Sequence, residues 1–162
     1  MAETTEKSVR LLLRPTDAED AWLDEVKTLD PKKAVPILSR MLLDSQEPSL
    51  NREMATLILG LLKDESALPT LIQAFKATDP VLRAVAAKAL GEIEKPIEDV
   101  VAQLIQALKD EDYYVRESAA KALGGLKSLE ALPALAHMTS VDEALNNREI
   151  AEEVIKEIKG LA

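Results

Sequence analysis

Catalysis needs groups that converge, and few residues here are of a type to do so. His137 is the only histidine, and the 162 residues include no cysteine. A metal site draws on several ligands, so one histidine holds no ion by itself. Nucleophilic catalysis needs a nucleophile beside a base and a group that orients the base. Without cysteine and with a single histidine, a triad is not assembled. The carboxylate pairs Asp110–Asp112 and Glu152–Glu153 read as helix caps and solvated faces. No glycine-rich phosphate loop is present; Gly60, Gly91 and Gly124 each stand inside a repeat. The expectation is a protein with no catalytic residue, no cofactor and no metal.

The elements that would position such residues are more legible. Apolar quartets fall at Ala55, Ile58, Leu59, Leu62; at Ala86, Ala89, Leu90, Ile93; at Ala119, Ala122, Leu123, Leu126; and at Ala151, Val154, Ile155, Ile158. Each has the spacing i, i+3, i+4, i+7 of one helical face. An arginine precedes each by three residues, and Arg52, Arg83, Arg116 and Arg148 lie 31, 33 and 32 apart. A period of this size signals stacked repeats. Between the quartets lies a second family of helices marked Ala-x-Pro, at Ala34–Pro36, Ala67–Pro69 and Ala131–Pro133, with Ala102 holding the equivalent place in the other copy. Proline suits a first helical turn, where its missing N–H is no loss. Asp79 and Asp112 are suited to cap the helices that follow them. Glycine inside a helix costs roughly 1 kcal/mol against alanine, so the recurrence of Gly60, Gly91 and Gly124 suggests tight packing or a helix end. Lys156 replaces it in the last copy.

Residues 6–14 and 16–29 read as a degenerate first pair, with Trp22, Val26 and Leu29 on its inner face. The last helix is read over residues 142–159. The count is ten helices in five pairs, without strands. The chain is one domain over residues 1–162: a capping pair in 1–30, then repeats over 31–160. Leu71, Leu90, Leu104, Leu123 and Leu132 are expected in the core.

Apolar residues make up 47% of the chain and charged residues 30%, a balance that suits a folded soluble domain. Aromatics are only 2%, so aliphatic side chains must fill the core. The net charge of -9 speaks against nonspecific binding to nucleic acid or to anionic membranes, which needs clustered lysine and arginine. The Leu run at 11–13 is broken by Arg14 and Pro15, too short for a secretory leader, and no stretch reaches the length of a membrane span. A cytoplasmic location is expected.

The segments DPVLRAVAAKALGEI and DEDYYVRESAAKALGGLKSLEALPAL resemble HEAT-like repeats of the short class named after the phycobilisome lyases. That class carries D-x-x-V-R-x-x-A-A-x-A-L-G-x-L followed by A-x-P-x-L. The resemblance covers about residues 31–160 and is strongest over 79–135. It implies an all-α fold, a right-handed α-solenoid of about five helical-hairpin repeats. Proteins with such repeats include scaffolds, bilin lyase subunits, a DNA glycosylase family and a di-iron hydroxylase whose repeated His-Glu pairs are missing here. Fold alone does not decide among them.

The resemblance also implies that each repeated arginine is structural, pairing with acidic groups or helix-end carbonyls of neighbouring repeats. The i,i+4 pairs Asp79–Arg83 and Asp112–Arg116 are open to it as well. It further implies that the second helices line a concave surface. Positions there outside the quartets are Met54, Leu57, Val81, Val85, Lys88, Tyr114, Lys121 and Ile150. A purely solvated face would not need their apolar members, and exposed apolar patches rimmed by charge often mark interaction sites. A shift of register by one position would instead bury some of them. The leading functional reading is a non-catalytic scaffold or adaptor that docks another protein, or an extended segment of one, with neither nucleic acid nor membrane as partner. The alternative is a bilin lyase subunit or assembly factor acting on phycobiliproteins.

Overall fold

A computed structural model describes residues 5–14, 19–93 and 98–160. The break expected at Pro15 lies outside the described residues. Among the described residues ten α-helices run in order: α1 (Glu6–Leu12), α2 (Glu19–Lys27), α3 (Pro31–Leu43), α4 (Ser49–Leu62), α5 (Leu68–Phe75), α6 (Pro80–Glu92), α7 (Glu98–Ala107), α8 (Tyr113–Gly125), α9 (Leu132–Val141) and α10 (Leu145–Ile158). No strand occurs among the described residues. Single 3-10 turns at Glu65–Ala67 and Leu129–Ala131 lead into α5 and α9. The architecture is an all-α solenoid of helical pairs.

Local signals explain the boundaries. Asp30, Asp79 and Asp112 are N-caps whose carboxylates accept backbone N–H bonds from Lys32, Val81 and Tyr114, and Pro31 and Pro80 occupy the first helical position behind two of them. Thr5 and Ser8 close a reciprocal capping box on α1. After α4 and α8 the chain turns through Lys63 and Lys127, at φ 51° and 49°, a left-handed conformation more often given to glycine. Pro69 and Pro133 fall in the first turns of α5 and α9. Pro36 does not: it stands inside α3, because Asp30 and Pro31 start that helix one turn earlier than the Ala-x-Pro signal suggests.

The second helices α4, α6, α8 and α10 form one layer, and α6 touches α4 and α8 more extensively than it touches any other element. The closeness has a cause. A Cβ on Gly60 would sit 2.7 Å from the Cα of Ala89, and one on Gly91 would sit 2.6 Å from the Cα of Ala122. Glycine on one helix therefore faces alanine on the next, and the backbones meet. The glycine row is a packing device, and the exposed Lys156 holds its place on α10.

The quartets fill the core between the layers. Ile58, Leu59, Leu90 and Leu123 are at most 1% exposed. Leu71 and Leu104 from the first helices are likewise buried. Leu132 is not; it is half-buried at the start of α9, where the preceding 3-10 turn delivers Ala131 to the core instead. At the N-terminal pair Val26 and Leu29 are buried, and Trp22 packs partly buried against the core.

Candidate protein-binding face

The repeated arginines come first because they fix the register of the second-helix face. Each is the fourth residue of its helix. Arg83 grips Asp110 through Nε and Nη2, at 3.1 and 2.9 Å, and donates from Nη1 to the carbonyls of Ala77 and Thr78. Arg116 repeats this one unit on, with Asp142 at 2.6 and 2.9 Å and with the carbonyls of Asp110 and Glu111. Both pairs are fork-to-fork, the strong arrangement for arginine and carboxylate. The partners are therefore not Asp79 and Asp112 at i−4, which spend their oxygens on capping; they are aspartates of the following turn. Asp142 also accepts from the backbone of Ala144 and from Asn147 Nδ2. Arg116 and these donors hold its carboxyl below the usual carboxylate value against the opposing effect of burial. For Asp110 burial pushes upward, and Arg83 with the Asp112 N–H outweighs it, so that carboxyl too is lowered. Four of the five N–H donors of each arginine are thus spent on partners within the fold.

Arg52 and Arg148 bind carbonyls, of Leu42 and Asp142 respectively. At the position of Asp110 the preceding repeat has Ala77, so Arg52 lacks a carboxylate among the described residues. In the first pair Trp22 donates from Nε1 to the carbonyl of Leu12, ten residues back, just as Arg52 reaches Leu42. The tryptophan takes the arginine's post.

With the register set, the second-helix face can be placed. Two residues before each arginine stand Leu50, Val81, Tyr114 and Asn146. The first three are 48%, 51% and 56% exposed. The core does not need them, yet three successive repeats supply a large apolar group at the same point, and only the last has Asn146 there. Two residues after each arginine stand Met54, Val85, Ser118 and Ile150. Met54 packs partly buried against the core and Val85 is half-buried. Leu57 is half-buried, while Lys88 and Lys121, one turn further along their helices, are exposed.

Ile150 departs from the expected surface row: it is 8% exposed and belongs to the core. Its place on α10 is i−4 from Val154 and i−8 from Ile158, so it continues the quartet's own stripe. Nor does the last helix begin at residue 142, as the sequence suggests: Asp142 lies before α10 and is the carboxylate of a rung.

Val81, Ala84, Val85, Tyr114 and Ser118 surround a mostly apolar hollow of about 340 Å³ between α6 and α8. Tyr113 stands next to Tyr114, with ring centroids 3.9 Å apart, and hydrogen bonding with the Tyr114 side chain pushes the Tyr113 hydroxyl up to about 12. Leu50 and Tyr113 were missed in the sequence; counting back two residues from Arg52 would have found Leu50. Beyond α8 the face turns acidic. Glu149, Glu153 and Glu157 are exposed on α10, and Asn146 Nδ2 donates to Glu117 of α8, which also pairs with Lys121.

A larger hollow of about 640 Å³ opens on the other side, between α7 and α9. Ile105, Met138 and Val141 line it with His137, and the Arg116–Asp142 pair closes one wall. Of its charged groups, Asp110, Arg116 and Asp142 are already paired. Among the described residues no three His, Cys, Asp or Glu side chains gather as metal ligands would, and no helix is long and apolar enough to cross a membrane.

Known proteins share this arrangement of stacked pairs. Human deoxyhypusine hydroxylase is similar at 25% identity and a TM-score of 0.66, over 78% of this chain; the match spans 44% of the hydroxylase chain, less than half its length. The complex of CpcE and CpcF of phycocyanin lyase from Nostoc sp. PCC7120 is similar at 19% identity and a TM-score of 0.72, over 99% of this chain and 67% of that one. An engineered protein matches at 18% identity and a TM-score of 0.61, over 96% of this chain and 81% of its own. No curated protein sequence matches the chain. The family model for HEAT repeats matches residues 21–91 and 68–156, the same span over which the arginine, the quartet and the glycine recur, and the chain belongs to the HEAT-repeat family.

Proposed function

We propose that the protein is a non-catalytic binding module whose second-helix face docks a segment of another protein. The observation that carries this reading is the row Leu50, Val81, Tyr114: one large, half-exposed apolar side chain at one register position in three successive repeats. Repetition of a costly exposure has no use in folding, and apolar anchors framed by polar groups are what interfaces use. Val85, Leu57 and Met54 deepen the floor of this surface, and Lys88 and Lys121 border it.

The test is affinity capture from extract of the native cell with the wild-type chain and with a Leu50→Ser, Val81→Ser, Tyr114→Ser variant side by side. A partner retained by the wild type and lost, at least tenfold, by the variant supports the reading. Equal retention by both would move the site to the α7–α9 hollow or to the ends of the stack.

The likeness of fold to phycocyanin lyase over 99% of the chain supports a second reading, a bilin lyase subunit or assembly factor. Co-expression with a phycobiliprotein subunit and bilin decides it: covalently attached pigment that depends on this chain would put the lyase role ahead.

A further inference from the structure

The chemistry of the occupant can be read from the spacing and the charge of the face, granted that this face is the binding site proposed above. Successive second helices pack backbone to backbone at Gly60–Ala89 and Gly91–Ala122, so their axes stand near the short end of the usual spacing of about 8–10 Å. At the other end of these helices Ser49 Oγ donates to Asp79 Oδ2 at 3.5 Å and Val81 and Tyr114 line one hollow, so the row Leu50, Val81, Tyr114 steps by about one helix spacing. A segment laid along the row must offer one anchor per step on one side. A β-strand rises about 3.3 Å per residue, so three residues cover the step, but its side chains alternate and every second anchor would point away. A polyproline II segment rises about 3.1 Å per residue with three residues per turn, so every third side chain falls on one face about 9 Å from the last. The paired rings of Tyr113 and Tyr114 add the aromatic surface on which such segments pack.

The fourth step differs from the first three. On α10 the row reaches Asn146, with the exposed Glu149 and Glu153 one and two turns further along the helix. An occupant continuing in register meets negative charge there. We infer that the face takes an extended polyproline II segment of a partner protein, with aliphatic side chains at every third position over α4, α6 and α8 and with lysine or arginine at the next step over α10.

The test uses the full chain and three fluorescein-labelled synthetic peptides of fourteen residues, rich in proline and serine. The first has leucines at every third position followed by two lysines. The second has the same composition with the leucines at every second position. The third replaces the lysines by glutamates. Binding is read by fluorescence anisotropy and located by amide shifts in NMR spectra. The first peptide should bind at least tenfold more tightly than the other two, with shifts at Val81, Tyr114 and Glu149. A Glu149→Lys, Glu153→Lys variant should reverse the preference between the lysine and glutamate peptides. Equal binding of all three, with shifts on this face, would overturn the stated occupant while leaving the binding face in place. Absence of shifts on this face from every peptide would overturn the inference, and with retention of a native partner by the serine variant it would remove the face as well.

Discussion

Between α6 and α10 each helical pair is tied to the next by an arginine whose aspartate lies in the following turn and is mostly sheltered from water. Asp142 has a side chain only 2% exposed, and Arg83 one of 12%. Between α1 and α4 the ties are of another kind. Arg10 pairs with Glu6 and Glu47, and Arg40 with Glu6, on side chains that are largely solvated apart from Glu47. Exposed pairs contribute little, while a sheltered fork-to-fork pair is costly to break. The N-terminal end is thus joined by packing and the C-terminal end by packing plus a ladder of charges.

Removing a carboxylate from the ladder is the severest way to break this contrast. Asp142→Ala leaves Arg116 without its partner and should cost roughly 3–5 kcal/mol, measured by urea denaturation. The same rung sets the acid limit. Asp142 and Asp110 have lowered carboxyl values, so their contribution is full above the unfolded-state value of about 3.9 and fades as pH falls through the lower folded value. Unfolding below about pH 4 should therefore be steeper in the wild type than in Asp142→Ala.

The glycine row gives the next largest effect. Gly91→Ala drives a Cβ against backbone of Ala122 and should destabilise by about 1–3 kcal/mol. Gly124→Ala meets only the side chains of Val154 and Glu157, at 3.1 and 3.2 Å, which can yield. With the helix-propensity gain of about 1 kcal/mol, its stability should stay near wild type.

Completing the ladder sharpens the comparison from the other side. Ala77→Asp places a carboxylate where Asp110 and Asp142 stand in later copies, opposite Arg52, and should stabilise by about 1 kcal/mol. Arg10→Ala, which removes only solvated pairs, should change stability by less than about 1 kcal/mol. A larger loss there would show that the N-terminal ties matter as much as the ladder does.

How far the sequence carries can be judged residue by residue. Leu90 and Leu123 were legible as core because the i, i+3, i+4, i+7 spacing admits one buried face. The glycine row was legible as close packing because glycine inside a helix is otherwise a cost. Asp142 was not legible, since an acidic residue before Glu143 in a charged stretch reads as helix start; its partner lies 26 residues away and shows only in space. Ile150 was misplaced because adjacent positions on a helix differ by about 100°, and one step decides between core edge and surface. Leu50 was passed over because Pro48 and Ser49 look like turn, although its distance from Arg52 equals that of Val81 from Arg83.

The Leu50, Val81, Tyr114 row is assigned to binding and not to folding. The thermal melt of the Leu50→Ser, Val81→Ser, Tyr114→Ser variant tests it most directly. With side chains already about half in water, the variant should melt within about 4 °C of the wild type, the shift that roughly 1 kcal/mol produces in a chain of this size. A drop of more than about 10 °C would contradict the claim and assign the row to the core.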